Sequence, residues 1–353
     1  MRFLQLPQEY LRVGRLHVPE GLVYAHFPQN GEMLFTLALA LGSDLLAQMY
    51  VWLATALTIG WLLTFGRRLT AAAAWAAVLV ATHSAVLVLS ATTYVEPLVM
   101  LWTTAAVLAF EISGVGKKKG LLVLSALFTG LALGTKYYAG LTAIIIVLRL
   151  LYHRRLRDSL LFSSVAVAVF SPWLVKNWMM VGNPIFPFLY SVFPATAAGW
   201  TSDLAAGYFS VLTEYGHAHG FLRDLASLPI LLFRNPLRFG GGMDVLGDIG
   251  WDLTLWLWPL GLWAAWKKNG PRGLALFTLL YCAGWFTTGV VLRFLTALAP
   301  AMALLGAAGV FALRARTSAS FRALATAGAG VMIISHLFLA LFVHGVFGSG
   351  SFL

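Results

Sequence analysis

The sequence predicts an all-α fold, a polytopic transmembrane helical bundle of about ten spans with an outer-face loop region. Two observations carry this. Continuous apolar runs near the length of about 20 residues that crosses a hydrocarbon core recur along the chain, and basic clusters fall at every second connection between them. Sixty per cent of residues are hydrophobic, only 10% are charged and the mean hydropathy is +0.82, which no soluble domain of this length would show. A β-barrel would need short alternating segments, and these runs do not alternate.

The spans fall at residues 44–65, 70–91, 95–112, 120–134, 139–151, 159–177, 252–266, 272–290, 293–313 and 323–346. The fourth and fifth are short and separated only by Thr135-Lys136-Tyr137-Tyr138, so they read as a tight hairpin whose turn lies toward the outer surface. The chain divides into an N-terminal outer-face loop segment (1–43), a first set of transmembrane helices (44–177), an outer-face loop region (178–251) and C-terminal transmembrane helices (252–353). Residues 1–43 lack the charged start, apolar centre and cleavage site of a signal peptide. Ten crossings would put that segment outside, so the sequence leads us to expect that an N-terminal span found in relatives is missing here. Residues 178–251 hold Pro184, Pro187, Pro194, Pro229, Pro236 and many aromatics. That is too aromatic for a disordered linker and predicts short helices packed on the outer face. No internal repeat argues for an inverted-repeat transporter.

Charge sets the orientation. The basic clusters are Arg67-Arg68, Lys117-Lys118-Lys119, Arg154-Arg155-Leu156-Arg157, Lys267-Lys268 and Arg314 to Arg322. Lys and Arg in short loops mark the cytoplasmic side. On this assignment 15 basic and 2 acidic residues (Glu111, Asp158) lie inside, against 9 basic and 11 acidic outside. The net charge of +11 is therefore a positive-inside signature rather than a nucleic-acid surface. A single cysteine, Cys282, excludes a disulfide framework, a thiolate metal cluster and haem attachment.

The same topology gathers Glu32, Glu96, Lys136, Lys176 and Arg293 on the outer face, each at or near the end of an apolar run. Ionisable groups in such a setting are costly and point to a site. Plainer roles exist for each: a helix-end snorkel for Lys176 and Arg293, a helix cap for Glu32 and Glu96. His26 could help Glu32 hold a divalent metal, or serve as an interfacial ring. Asp244, Asp248 and Asp252 share four-residue spacing but lie among glycines without calcium-loop spacing, and His217 and His219 lack partner ligands at metal spacing. No phosphate-binding or dinucleotide fingerprint occurs, so ATP and NAD are not implied.

Four stretches, in order, carry a resemblance. The first is Tyr24 to Leu34, with Phe27-Pro28 followed by Glu32-Met33-Leu34. The second runs from Gly130 to Tyr138. The third runs from Pro172 to Tyr190, with Lys176-Asn177, Gly182-Asn183-Pro184 and Pro187-Phe188. The fourth is Leu292 to Pro300. Together they resemble the C-type (GT-C) superfamily of polyprenyl-phosphate-sugar-dependent glycosyltransferases, nearest the dolichyl-phosphate-mannose mannosyltransferase and RgtA/B/C/D-like families.

The resemblance implies a bacterial-type inner-membrane enzyme that moves a sugar from a polyprenyl phosphate to a lipid, glycan or protein acceptor on the outer face. Lys136, Tyr137, Lys176, Asn177 and Arg293 become the expected donor-binding residues, with the cations on the phosphate. A carboxylate must activate the acceptor hydroxyl, and Glu32 and Glu96 are the candidates. Tyr137, Tyr138 and Trp178 would lie beside the polyprenyl chain. The superfamily's own base lies in the first outer loop just after the first span, and on this reading it would precede Met1. No cofactor is implied, a divalent metal at His26 and Glu32 stays open as above, and no nucleic-acid partner is expected. The rival readings are a transporter or flippase for a lipid-linked anionic solute, which would need charges reachable from both faces, and a non-catalytic remnant of the enzyme.

Overall fold

The computed structural model describes residues 4–19, 22–194, 200–214, 220–234, 252–267, 270–288, 291–315 and 317–347, and among these it is helical without strands. The N-terminal segment forms α1 (Gln5–Val13), a 3-10 turn (Val23–His26) and α2 (Asn30–Ala40). Helix α3 (Asp44–Thr64) starts where the Ser43 hydroxyl accepts the Leu46 amide at 3.0 Å, a side-chain N-cap. Next come α4 (Ala73–Thr82), α5 (Ser84–Ser90), α6 (Glu96–Ile112), α7 (Lys119–Leu133), α8 (Gly140–Tyr152) and α9 (Leu156–Val181). The stretch after α9 contributes α10 (Ser202–Glu214) and α11 (Phe221–Arg234). The C-terminal part is α12 (Trp258–Ala265) with a π-helical lead-in (Asp252–Leu257), α13 (Arg272–Thr288), a 3-10 segment (Leu292–Leu298) running into α14 (Ala299–Arg314), and α15 (Ala319–Phe347).

Each apolar run of the sequence thus corresponds to a helix or a broken helix. Asp44–Arg68, Leu156–Val181 and Leu292–Arg314 are long and apolar enough to cross a membrane on their own, and α4 with α5 makes a fourth when the bent pair counts as one span. The chain is an integral membrane protein. The expected second span, 70–91, is not one straight helix: it bends by 61° at His83, whose backbone is extended. The Thr82 hydroxyl folds back on the Val78 carbonyl at 2.9 Å, a local bond that competes with the helix ladder. The His83 ring is buried with its centroid 5.1 Å from that of His336 on α15. Hydropathy is blind to a single polar residue inside an apolar window.

Helix α6 is the axis of the bundle, buried over nearly its whole length. Beside it α12 and α14 approach each other closely through glycines, as membrane helices do when lipid is as apolar as they are. On α12, a Cβ at Gly261 would fall 2.3 Å from the Leu305 carbonyl carbon of α14, and one at Gly309 would fall 2.7 Å from that of Leu260. By contrast α3 and α9 turn Leu45, Met49, Trp52, Leu160, Val167 and Val175 outward. Pro172 inside α9 cannot donate to the Ala168 carbonyl, and the Ser171 hydroxyl takes that place at 2.8 Å.

At the end of the bundle that carries the basic clusters, the inner end expected from the sequence, the charges close on one another. Arg149 of α8 grips Glu111 of α6 with both guanidinium arms, Nη2 to Oε2 at 3.2 Å, and lies over the Phe110 ring at 4.8 Å. A Cβ at Gly273 of α13 would meet that pair at 2.1 Å, so three helices meet on one ion pair. Asp158 of α9 is bound by Lys119 and by Arg155, the latter at 2.5 Å.

Candidate functional site

The opposite ends, expected from the sequence to be the outer ones, are built differently. The turn before α2 brings Ala25, His26, Gln29 and Glu32 into the protein, each no more than 6% exposed. Lys176, near the outer end of α9, does not extend along the surface. Its ammonium donates to the Ala25 carbonyl at 2.7 Å and the Gln29 amide oxygen at 3.3 Å, and lies 5.2 Å from the centre of the Trp173 ring. The Gln29 amide is held in turn by the Tyr10 hydroxyl of α1, which donates to it at 2.9 Å, while its nitrogen donates to Ala25 at 3.1 Å. The Lys176 charge is thus cradled by neutral dipoles.

Glu32, in the first turn of α2, is buried, and its Oε2 has no hydrogen-bond partner. Burial pushes its carboxyl up to about 6, opposed first by Lys136 and more weakly by Lys176, with Glu96 adding to the rise. Two cations and a second carboxylate therefore lie within electrostatic range of one carboxyl group. His26 is kept neutral: burial and the nearby Lys176 charge lower its imidazole to about 4. Its ring meets Phe186 edge-on at 5.1 Å, and its Nδ1 has no partner. Among the described residues no three His, Cys, Asp or Glu side chains converge as metal ligands.

Lys136 lies in the turn after α7 in extended backbone, followed by the 3-10 turn Tyr137–Ala139, which is the tight hairpin expected from the sequence. The Asn177 side-chain amide donates to the Tyr137 hydroxyl at 3.2 Å, tying this hairpin to α9. Tyr137 meets Phe27 and Phe188 edge-on, at 5.5 and 5.1 Å. Tyr138 instead stacks inward on Phe294 at 4.3 Å, while Trp178 is exposed. After α9, Gly182 takes the left-handed conformation that ends the helix. The buried Asn183 amide then donates to the Phe188 and Phe193 carbonyls, at 2.9 and 3.1 Å, which gives this part of the motif a folding role.

Glu96, at the N-terminus of α6, is fully buried and lies 3.1 Å from Arg293 Nε. Nε is off line for a hydrogen bond, so this is a charge contact. The Arg293 guanidinium also lies near the Tyr94 and Phe294 rings, at 5.7 and 5.5 Å, and its side chain remains 24% exposed. All five outer charges of the sequence therefore occupy one end of the bundle, as two linked groups: Glu32 with Lys136 and Lys176, and Glu96 with Arg293.

Sequence reasoning missed Tyr10, Gln29, Asn30 and Trp173. The available signal was a pair of amides, Gln29-Asn30, between Pro28 and an apolar helix. The aspartate series at 244 and 248, the glycines at 240–242 and the histidines at 217 and 219 lie outside the described residues.

No family model matches this sequence, and no curated protein does. The crystal structure of ArnT from Cupriavidus metallidurans in the apo state is similar in fold. The TM-score is 0.59 at 15% identity, over 90% of this chain and 55% of that one. The chain thus spans about half the length of that protein. The two share a fold, a polytopic helical bundle, in line with the fold class expected from the sequence.

Proposed function

We propose that this protein is a membrane glycosyltransferase that moves a sugar from a polyprenyl phosphate to an acceptor on the outer face. The observation that carries this reading is the gathering of Glu32, Lys136, Lys176 and the Glu96–Arg293 pair at one end of the bundle. Three cations against two carboxylates leave one positive charge, which suits the single negative charge of a sugar phosphodiester. The likeness to ArnT, an undecaprenyl-phosphate-aminoarabinose transferase, supports a lipid-linked sugar as donor.

Glu32 is the base on this reading. Glu96 is fully buried with its charge facing Arg293 at 3.1 Å, whereas Glu32 keeps slight exposure and forms no such ion pair with a described residue. Its carboxylate takes the acceptor's hydroxyl proton as the acceptor oxygen bonds to the anomeric carbon. The bond from that carbon to the phosphate oxygen breaks, and polyprenyl phosphate leaves with the electron pair. Attack opposite the leaving group inverts the anomeric centre. Lys136, Lys176 and Arg293 stabilise the charge that develops on the phosphate. A flippase would need its solute-binding cations reachable from both faces in turn, whereas Lys136, Lys176 and Arg293 gather at one end of the bundle.

The experiment is release of polyprenyl phosphate from short-chain polyprenyl-phosphate sugars carrying mannose, glucose, galactose, arabinose or aminoarabinose, with the protein in proteoliposomes and a cell-envelope extract supplying lipid, glycan and protein acceptors. Release by the wild type with at least one of them, lost in Lys176→Ala at unchanged membrane insertion, supports the reading. No release from any of them by the wild type overturns it.

A further inference from the structure

Three elements carry the first charged group: Glu32 on α2, Lys136 on the turn after α7, and Lys176 on α9. Asn30 touches all three. Its backbone N–H, in the first turn of α2, donates to the Gly134 carbonyl at 2.8 Å, and its side-chain nitrogen donates to the Leu131 carbonyl at 3.1 Å. Its side-chain oxygen accepts the indole N–H of Trp173 at 2.8 Å. The hairpin side of this contact is fitted to the amide, because a Cβ at Gly134 would fall 2.3 Å from Asn30 Nδ2. The α9 side passes through the tryptophan whose ring faces the Lys176 ammonium.

The hairpin and α9 are also tied to each other without Asn30, through Asn177 and Tyr137. Removing the Asn30 side chain would therefore loosen α2 against two elements that stay together, leaving the residue-30 backbone bond to Gly134 and the Lys176 bonds to Ala25 and Gln29 as the remaining ties. A buried carboxylate near two ammonium groups is drawn toward them, and in a low-dielectric setting that pull is strong. Neutral hydrogen bonds to backbone and indole fix α2 at a set distance and resist that collapse.

We propose that Asn30 is a positioning residue for sugar transfer, setting the Glu32 carboxylate on α2 against the cations Lys136 and Lys176 on the hairpin and α9. This rests on the function proposed above and deepens it. The hairpin stays tied to α9 through Asn177 and Tyr137, and Lys176 keeps its bonds to Ala25 and Gln29 on the chain before α2, so donor binding is largely kept while the carboxylate beyond Asn30 is misplaced. A base displaced by about 1 Å costs up to about a hundredfold in rate.

The test measures kcat and donor KM for polyprenyl phosphate release in Asn30→Ala, Trp173→Phe, Gly134→Ala and the Asn30→Ala/Gly134→Ala pair, with the thermal unfolding midpoint of each. Trp173→Phe keeps an aromatic ring at this position while removing the indole N–H and the pyrrole part of the ring. The expected result is kcat lowered at least about tenfold in each single variant with donor KM within about threefold. Gly134→Ala should add nothing in the Asn30→Ala background, as expected for coupled sites. Wild-type kcat in Asn30→Ala and Trp173→Phe overturns the proposal, and so does an additive pair. Loss of folded protein in all variants also overturns it, making Asn30 a folding residue. Release absent in the wild type removes the proposed function and this role together, whereas release present with kcat insensitive to Asn30 removes this role alone.

Discussion

The two ends of the bundle handle buried charge in opposite ways. At the inner end Arg149 and Glu111 meet arm to arm, and Asp158 is bound by two cations. At the outer end Glu32 has an unpartnered oxygen, Lys176 rests on neutral dipoles, and Glu96 meets Arg293 off line. Satisfying a buried charge within the protein is what folding alone selects, since an uncompensated one is costly. Keeping charges partly satisfied is worthwhile only when something else completes them. The inner pairs are therefore read as fasteners, and the outer group as a site waiting for an anion and a hydroxyl.

The sharpest way to break this contrast is to neutralise one carboxylate at each end. Glu32→Gln should lower sugar transfer about a thousandfold, as loss of a general base does. The unfolding midpoint in detergent should hold or rise, because an unpartnered buried carboxyl is removed. Glu111→Gln should do the reverse. It leaves Arg149 buried without its counter-charge, at a cost of about 3 kcal/mol or more, while transfer per folded molecule stays at the wild-type value. If Glu32→Gln unfolds the protein and leaves transfer intact, the two ends have been assigned the wrong way round.

Much of this was legible in the sequence, for a physical reason. Apolar length and the sorting of basic residues report on the membrane itself, so the helices and the outer group of charges could be read from them. Contacts between neutral groups leave no such trace. Gln29 and Asn30 stand at unspecified positions of the motif that ends in Glu32-Met33-Leu34, and an amide does not alter a charge pattern. The pairing of Glu96 with Arg293 joins residues far apart in the chain, and the break at His83 depends on a ring of α15.

The contrast also has a pH signature. Glu32 must be ionised to act as a base, and burial places its carboxyl at about 6. Transfer should therefore fall about tenfold per unit below pH 6 and level off above it. Stability should run the other way. Between pH 4.5 and about 6 the folded state holds a proton that the unfolded carboxyl has lost, so this group's contribution declines as pH rises through that window, by an amount on the order of 2 kcal/mol. A transfer profile flat from pH 5 to 8 would remove Glu32 from the chemistry.

The smallest effect expected separates the two ends most finely, because it compares two single hydroxyls. Tyr10 donates to Gln29, which in turn accepts from Lys176. Burial pushes the phenol up to about 12, so it remains a donor throughout the working range. Ser125 of α7 donates to the Ala106 carbonyl of α6 at 2.8 Å, between two helices and away from the charged groups. Each hydrogen bond contributes about 1 kcal/mol, so Tyr10→Phe and Ser125→Ala should lower the unfolding midpoint by similar amounts. Only Tyr10→Phe should change transfer, raising donor KM about two- to fivefold. The Gln29 oxygen then has Lys176 as its one donor and holds the ammonium more tightly against release to the phosphate. Equal kinetic effects from the two substitutions would mean that the hydrogen bonds around Lys176 act only as packing.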